Sequence, residues 1–85
     1  MNPKKEKPAK PNISNPTLKN LGNRIKQLRI QKGYSSYEYF AYEKDISRAQ
    51  FGRYERGEDI RFSTLLRIIK AFDMDVKDFF SEGFE

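Results

Sequence analysis

The 85-residue chain contains no histidine, no cysteine and no tryptophan. Without imidazole or thiolate it can build no metal site on those ligands, no disulfide framework, no cysteine nucleophile and no histidine-dependent triad. No apolar run approaches the roughly 20 residues a membrane span needs. The charged N-terminus has no apolar segment behind it, so it does not read as a secretory signal. Carboxylate pairs such as Glu58–Asp59 and Asp73/Asp75 sit beside no Gly-rich phosphate loop, so neither an enzyme nor a cofactor is expected. What remains is one small cytoplasmic domain, because a chain this short supports a single core.

Positive charge is what the chain has in excess, and it is unevenly placed. Lys and Arg number 17 against 12 Asp and Glu, a net of +5. Residues 1–20 carry five Lys and one Glu, and residues 21–57 eight basic and four acidic groups, each a net of +4. Residues 58–85 reverse the sign, with four basic and seven acidic groups for a net of −3. A polyanion is therefore expected to meet the first two-thirds of the molecule, with the C-terminal third turned away.

All four prolines, Pro3, Pro8, Pro11 and Pro16, fall in the opening stretch, with Lys4, Lys5, Lys7 and Lys10 between them. Such a segment buries almost nothing to offset its ordering entropy, so residues 1–16 read as a disordered basic arm and residues 17–85 as the domain. The arm is either a solvated leader or a tracker of phosphates.

From Thr17 onward the pattern is helical. Leu18, Leu21, Ile25 and Leu28 recur at three- and four-residue steps on a first helix that Gly33 can stop. Ser35 with Glu38 has capping-box form and opens a second helix to about Glu43; Ser47 with Gln50 repeats the form and opens a third to about Arg56, closed by Gly57. Leu65, Ile68, Ile69 and Phe72 mark a fourth helix, and Asp75 can cap a fifth carrying Val76, Phe79 and Phe80. No period-two stretch stands out. The fold class is all-α, with five short helices.

The informative segment is the second helix, a sharp turn and the third helix. Asp45 suits the left-handed conformation that such a turn often needs. With Ile46, Phe51 and Tyr54 turned inward toward Phe40 and Ala41, the third helix presents Ala49, Gly52, Arg53 and Arg56 outward, flanked by Arg48 and Gln50. A helix entering the major groove needs small side chains for close approach and long donors that reach base edges and phosphates. Gly52 costs about 1 kcal/mol of helix propensity relative to Ala, which points to close approach at that position.

The stretches Leu21-Gly22-Asn23-Arg24-Ile25-Lys26-Gln27-Leu28-Arg29, Phe40-Ala41, Ile46-Ser47-Arg48, Tyr54-Glu55-Arg56-Gly57 and Thr64 to Phe72 together resemble the Cro/CI-type (XRE-like) helix-turn-helix domain of bacterial and phage repressors. The resemblance runs from about Leu21 to Phe80. It implies a compact five-helix, lambda-repressor-like fold whose third helix reads the major groove, usually as a homodimer on a palindromic site. It places Arg48, Ala49, Gln50 and Arg53 at positions facing bases or nearby phosphates, beside Ser47 at the helix start. Tyr37 stands where the family often has Gln, and a hydroxyl-to-phosphate contact is expected there. Arg29 and Glu55 match a structural ion pair joining the first helix to the third. Asp45 stands where Gly is common, and the connection from Gly33 to Ala41 is one residue longer than usual.

Two surfaces stay open between readings. Tyr34, Tyr37, Tyr39, Phe40 and Tyr42 crowd into nine residues; core and boundary packing is the expected use, with hydroxyls free to reach phosphates at the start of the second helix. Phe79, Phe80 and Phe84 either close the core or form a dimer contact. The expected function is a sequence-specific double-stranded DNA-binding regulator of transcription, most simply a repressor. The alternative is a protein-interaction module, such as an antitoxin-like subunit that binds a protein partner and autoregulates.

Overall fold

A computed structural model describes residues 15–85 as five helices in order: α1 (Pro16–Gln31), α2 (Tyr37–Glu43), α3 (Arg48–Glu55), α4 (Phe62–Ala71) and α5 (Val76–Phe79). Among the described residues there is no strand. The expected basic arm lies outside the described residues as far as position 14. Its last residue, Pro16, instead forms the first position of α1, where a missing N–H costs nothing. Asn15 caps this helix, its Oδ1 accepting from the N–H groups of Thr17 and Leu18 at 2.9 and 3.3 Å.

Side-chain caps explain the starts of α2, α3 and α5, with one shift, whereas α4 follows Arg61 without one. Ser36, not Ser35, caps α2, its Oγ accepting from Tyr39 N–H at 3.2 Å. The extra residue after Gly33 moves the helix start one step along, so the Ser35–Glu38 capping box does not form. Ser47 caps α3 through the Gln50 N–H, and Asp75 caps α5 through the Asp78 N–H. Gly33 and Gly57 take positive φ of 94° after α1 and α3, and Asp45 takes φ 60° in the turn between α2 and α3.

The core is one cluster: Leu21, Ile25 and Leu28 of α1, Phe40 and Ala41 of α2, Phe51 of α3, Leu65, Ile68 and Ile69 of α4, with Phe72 and Phe79. Phe40 is its centre, stacking on Phe72 at 5.1 Å and packing against Phe51 at 5.3 Å between ring centroids. In a small domain these rings supply much of the buried area, each beyond its hydrophobic transfer by about 1 kcal/mol of aromatic pairing.

The C-terminal segment settles one of the open surfaces in part. Phe79 is fully buried and closes the core, so it is not available as a dimer contact. Phe80 stays partly exposed, and Gly83 at φ 92° turns the chain so that Phe84 folds back onto Phe80 at 4.9 Å. Arg24 of α1 holds this end in place. Buried, its Nε donates to the carbonyl of Phe79 at 2.7 Å and its Nη2 to that of Asp78 at 3.1 Å, while Nη1 lies 3.6 Å from the exposed Glu82 carboxylate. A cation on the last carbonyls of a helix also complements the dipole there.

Candidate nucleic-acid interface

α3 is held on three sides, and each restraint leaves its outer face free. At its start, the turn is closed by Ile46 N–H donating to Ala41 C=O at 2.8 Å, while Arg67 of α4 donates to Asp45 C=O at 3.0 Å. In its middle, Phe51 packs on Phe40. At its end, Gly22 of α1 lies against the backbone of Tyr54 and Glu55, so close that a Cβ there would stand 2.6 Å from both carbonyl oxygens.

The end of α3 is further fixed by a two-pronged ion pair. Arg29 Nε meets Glu55 Oε2 at 2.8 Å, Nη2 meets Oε1 at 3.1 Å, and Nη1 donates to Tyr34 C=O at 2.7 Å. The side chains are only 5% and 7% exposed. With this geometry each charge satisfies the other, which is the condition for keeping a pair out of water.

The outer face of α3 then consists of Arg48, Ala49, Gln50 and Arg53, with Ser47 before it and Arg56 after it, all exposed. Arg53 lies 4.0 Å from Glu58, a loose and open pairing that is weak in water. Tyr54 is half-buried, and its hydroxyl donates to Gln50 Oε1 at 3.2 Å. No motif in the sequence marks that bond, although residues four apart on a helix are neighbours.

Gly52 departs from the expectation of an open position. It is buried, and a Cβ there would lie 2.8 Å from the Tyr37 ring. The close approach is real, but its partner is an aromatic ring of the protein itself. Tyr37 reaches from the start of α2 across α3 and fills the notch that the glycine leaves, so Gly52 contributes backbone and Tyr37 the surface.

The tyrosines of α2 and of the connection before it also differ from expectation. Tyr34 and Tyr37 are half-buried, whereas Tyr39 and Tyr42 are exposed. The hydroxyls of Tyr34 and Tyr39 are not free for phosphates: both donate to Glu43, at 2.5 and 2.9 Å. These two hydrogen bonds hold the Glu43 carboxyl below its ordinary range and push both phenols above theirs.

Two helices meeting at a tight turn, the second fixed from behind and cationic in front, define a helix-turn-helix DNA-binding domain. A family model described as Cro/C1-type HTH DNA-binding domain matches residues 24–81. The chain belongs to that family, which is a class of DNA-binding proteins and not of enzymes. Among solved structures it is similar to the restriction-modification controller protein C.AhdI from Aeromonas hydrophila, with 29% identity, a TM-score of 0.67, and 75% of this chain and 97% of that one covered. It is also similar to a single-residue mutant of the restriction-modification controller protein C.Esp1396I in a trigonal crystal form, with 25% identity, a TM-score of 0.69, and coverage of 78% and 88%. No curated protein matches the chain. Among the described residues, no helix is long and apolar enough to cross a membrane.

Proposed function

We propose that the protein is a sequence-specific regulator of transcription, most simply a repressor, that inserts α3 into the major groove of double-stranded DNA. The observation that carries this reading is the composition of the exposed side of α3. Arg48, Gln50 and Arg53 project donors around the small Ala49, while every restraint on the helix acts from behind. Ser47, Arg56 and the Tyr37 hydroxyl flank that face and serve phosphates, which position the helix without reading sequence. The likeness to two restriction-modification controller proteins supports control of gene expression as its role.

The protein works in this reading as a homodimer on a palindromic site, in a bacterial or phage-infected cytoplasm. Exposed Val76 and Phe80, four residues apart on the C-terminal turn, together with Phe84 packed at a tilt against Phe80, offer the apolar surface for a second copy. The same surface supports the second reading, a protein partner of the antitoxin kind.

Selection from random duplexes tests both parts at once. A symmetric consensus is expected, bound with an affinity that falls steeply with salt, by about 0.9 in log–log slope for each phosphate neutralised. Arg53→Ala is expected to erase site preference and leave weak, non-specific binding; retained site choice would remove α3 from the groove. Phe84→Ser is expected to weaken self-association, and a monomeric wild-type protein on an asymmetric consensus refutes the dimer.

A further inference from the structure

Gln50 stands on the exposed side of α3, and its amide is not free. Tyr54, one helical turn on, donates its hydroxyl proton to Gln50 Oε1 at 3.2 Å. The Gln50 backbone N–H is taken by the Ser47 cap, so backbone and side chain are both anchored within the same helix. Tyr54 itself is half-buried and packs against the core cluster. Its hydroxyl therefore starts from a fixed ring and not from a mobile side chain.

Resting on the reading that the outer face of α3 meets bases, we infer that Tyr54 is a positioning residue that decides which base Gln50 accepts, by engaging the amide oxygen and leaving Nε2 as the free end. The unrestrained Gln side chain grips adenine with two bonds: the oxygen takes the N6 proton and the nitrogen donates to N7. With Oε1 already bonded to Tyr54, that grip requires breaking the bond or sharing the oxygen. Nε2 can instead donate to O6 and N7 of guanine without calling on Oε1, whereas adenine offers it N7 alone and sets the N6 donor against it. The neighbours agree in sign. Arg48 and Arg53 carry donors only, and Ala49 offers a methyl, so the whole face is a donor surface. In the major groove guanine presents two acceptors and no donor, and is its natural complement.

The test uses the full chain, the duplex recovered by selection, and a panel in which each base pair is replaced in turn. Gln50→Ala first locates the base pair that Gln50 reads, as the position where preference disappears. At that position the wild type is expected to favour guanine over adenine. Tyr54→Phe keeps the ring and its packing but deletes the hydroxyl; it is expected to shift the ratio toward adenine by about tenfold, which corresponds to about 1.4 kcal/mol and to the lower end of a bidentate base contact. In a Gln50→Ala background, Tyr54→Phe is expected to change nothing at that position, which a merely structural role would not produce. A wild-type preference for adenine there, or an unchanged ratio in Tyr54→Phe, overturns the inference while leaving the groove reading intact. A Gln50→Ala protein with an unchanged profile overturns it as well, by removing Gln50 from recognition. Only an unchanged profile in Arg53→Ala would strike the underlying reading.

Discussion

Replacing Glu55 by leucine leaves the Arg29 guanidinium without a counter-charge in a place only 5% open to water. Three donors now converge on Glu55 and on the Tyr34 carbonyl at 2.7 to 3.1 Å; the substitution strands two of them. Breaking a buried pair from one side costs about 3–5 kcal/mol, against a total stability of about 5–15 kcal/mol for a domain. At about 4–8 °C per kcal/mol for a chain of this size, the melting temperature should fall by upwards of about 12 °C. Arg29→Met, which buries an unpaired carboxylate instead, should cost a comparable amount. The double substitution Arg29→Met with Glu55→Leu removes both charges and should cost no more than the worse single change, because neither ion is then left alone. Urea unfolding followed by circular dichroism measures all three. A loss below about 1 kcal/mol in Glu55→Leu, the range of an exposed ion pair, or additive losses in the double variant, would refute the view that this pair is a desolvated unit fixing α3.

Two glycines should respond differently to alanine. Gly22→Ala drives a methyl to within 2.6 Å of two backbone carbonyl oxygens, and overpacking of about 1–3 kcal/mol should outweigh the gain in helix propensity of about 1 kcal/mol. Gly52→Ala meets only the end of the Tyr37 ring, which can swing aside, so thermal unfolding should show no loss of stability while DNA affinity falls as the ring is displaced. Glu43 gives a pH signature. Because its folded pKa is lowered by Tyr34 and Tyr39, its contribution is present above the ordinary Glu value of about 4.3 and is lost as the pH drops through the folded value. Glu43→Gln should therefore be less stable than the wild type at neutral pH and converge with it in acid, as judged by unfolding midpoints across that range; a gap that persists at the acid end would refute it.

What the sequence determined by itself is whatever depends on near neighbours along the chain. Helical periodicity placed Leu18, Leu21, Ile25 and Leu28 on one face and Leu65, Ile68, Ile69 and Phe72 on another, and all but the half-buried Leu18 are buried. Ser47 and Asp75 cap the helices they precede, and Asp45 bends the turn with positive φ, because caps and turns are local hydrogen-bond problems.

Tertiary structure decided what depends on which surface lies opposite. Gly52 looked open on a helical wheel, but Tyr37 from another helix covers it. Arg24, beside the apolar stripe of α1, gave no sign of burial until the end of α5, more than fifty residues away, supplied carbonyls for its guanidinium. Phe79 and Phe80 are adjacent and chemically alike, yet one is wholly buried and the other 38% exposed. Only the direction in which α5 meets the core distinguishes them, and that direction is set by packing between distant segments, for which no pattern along the chain carries a record.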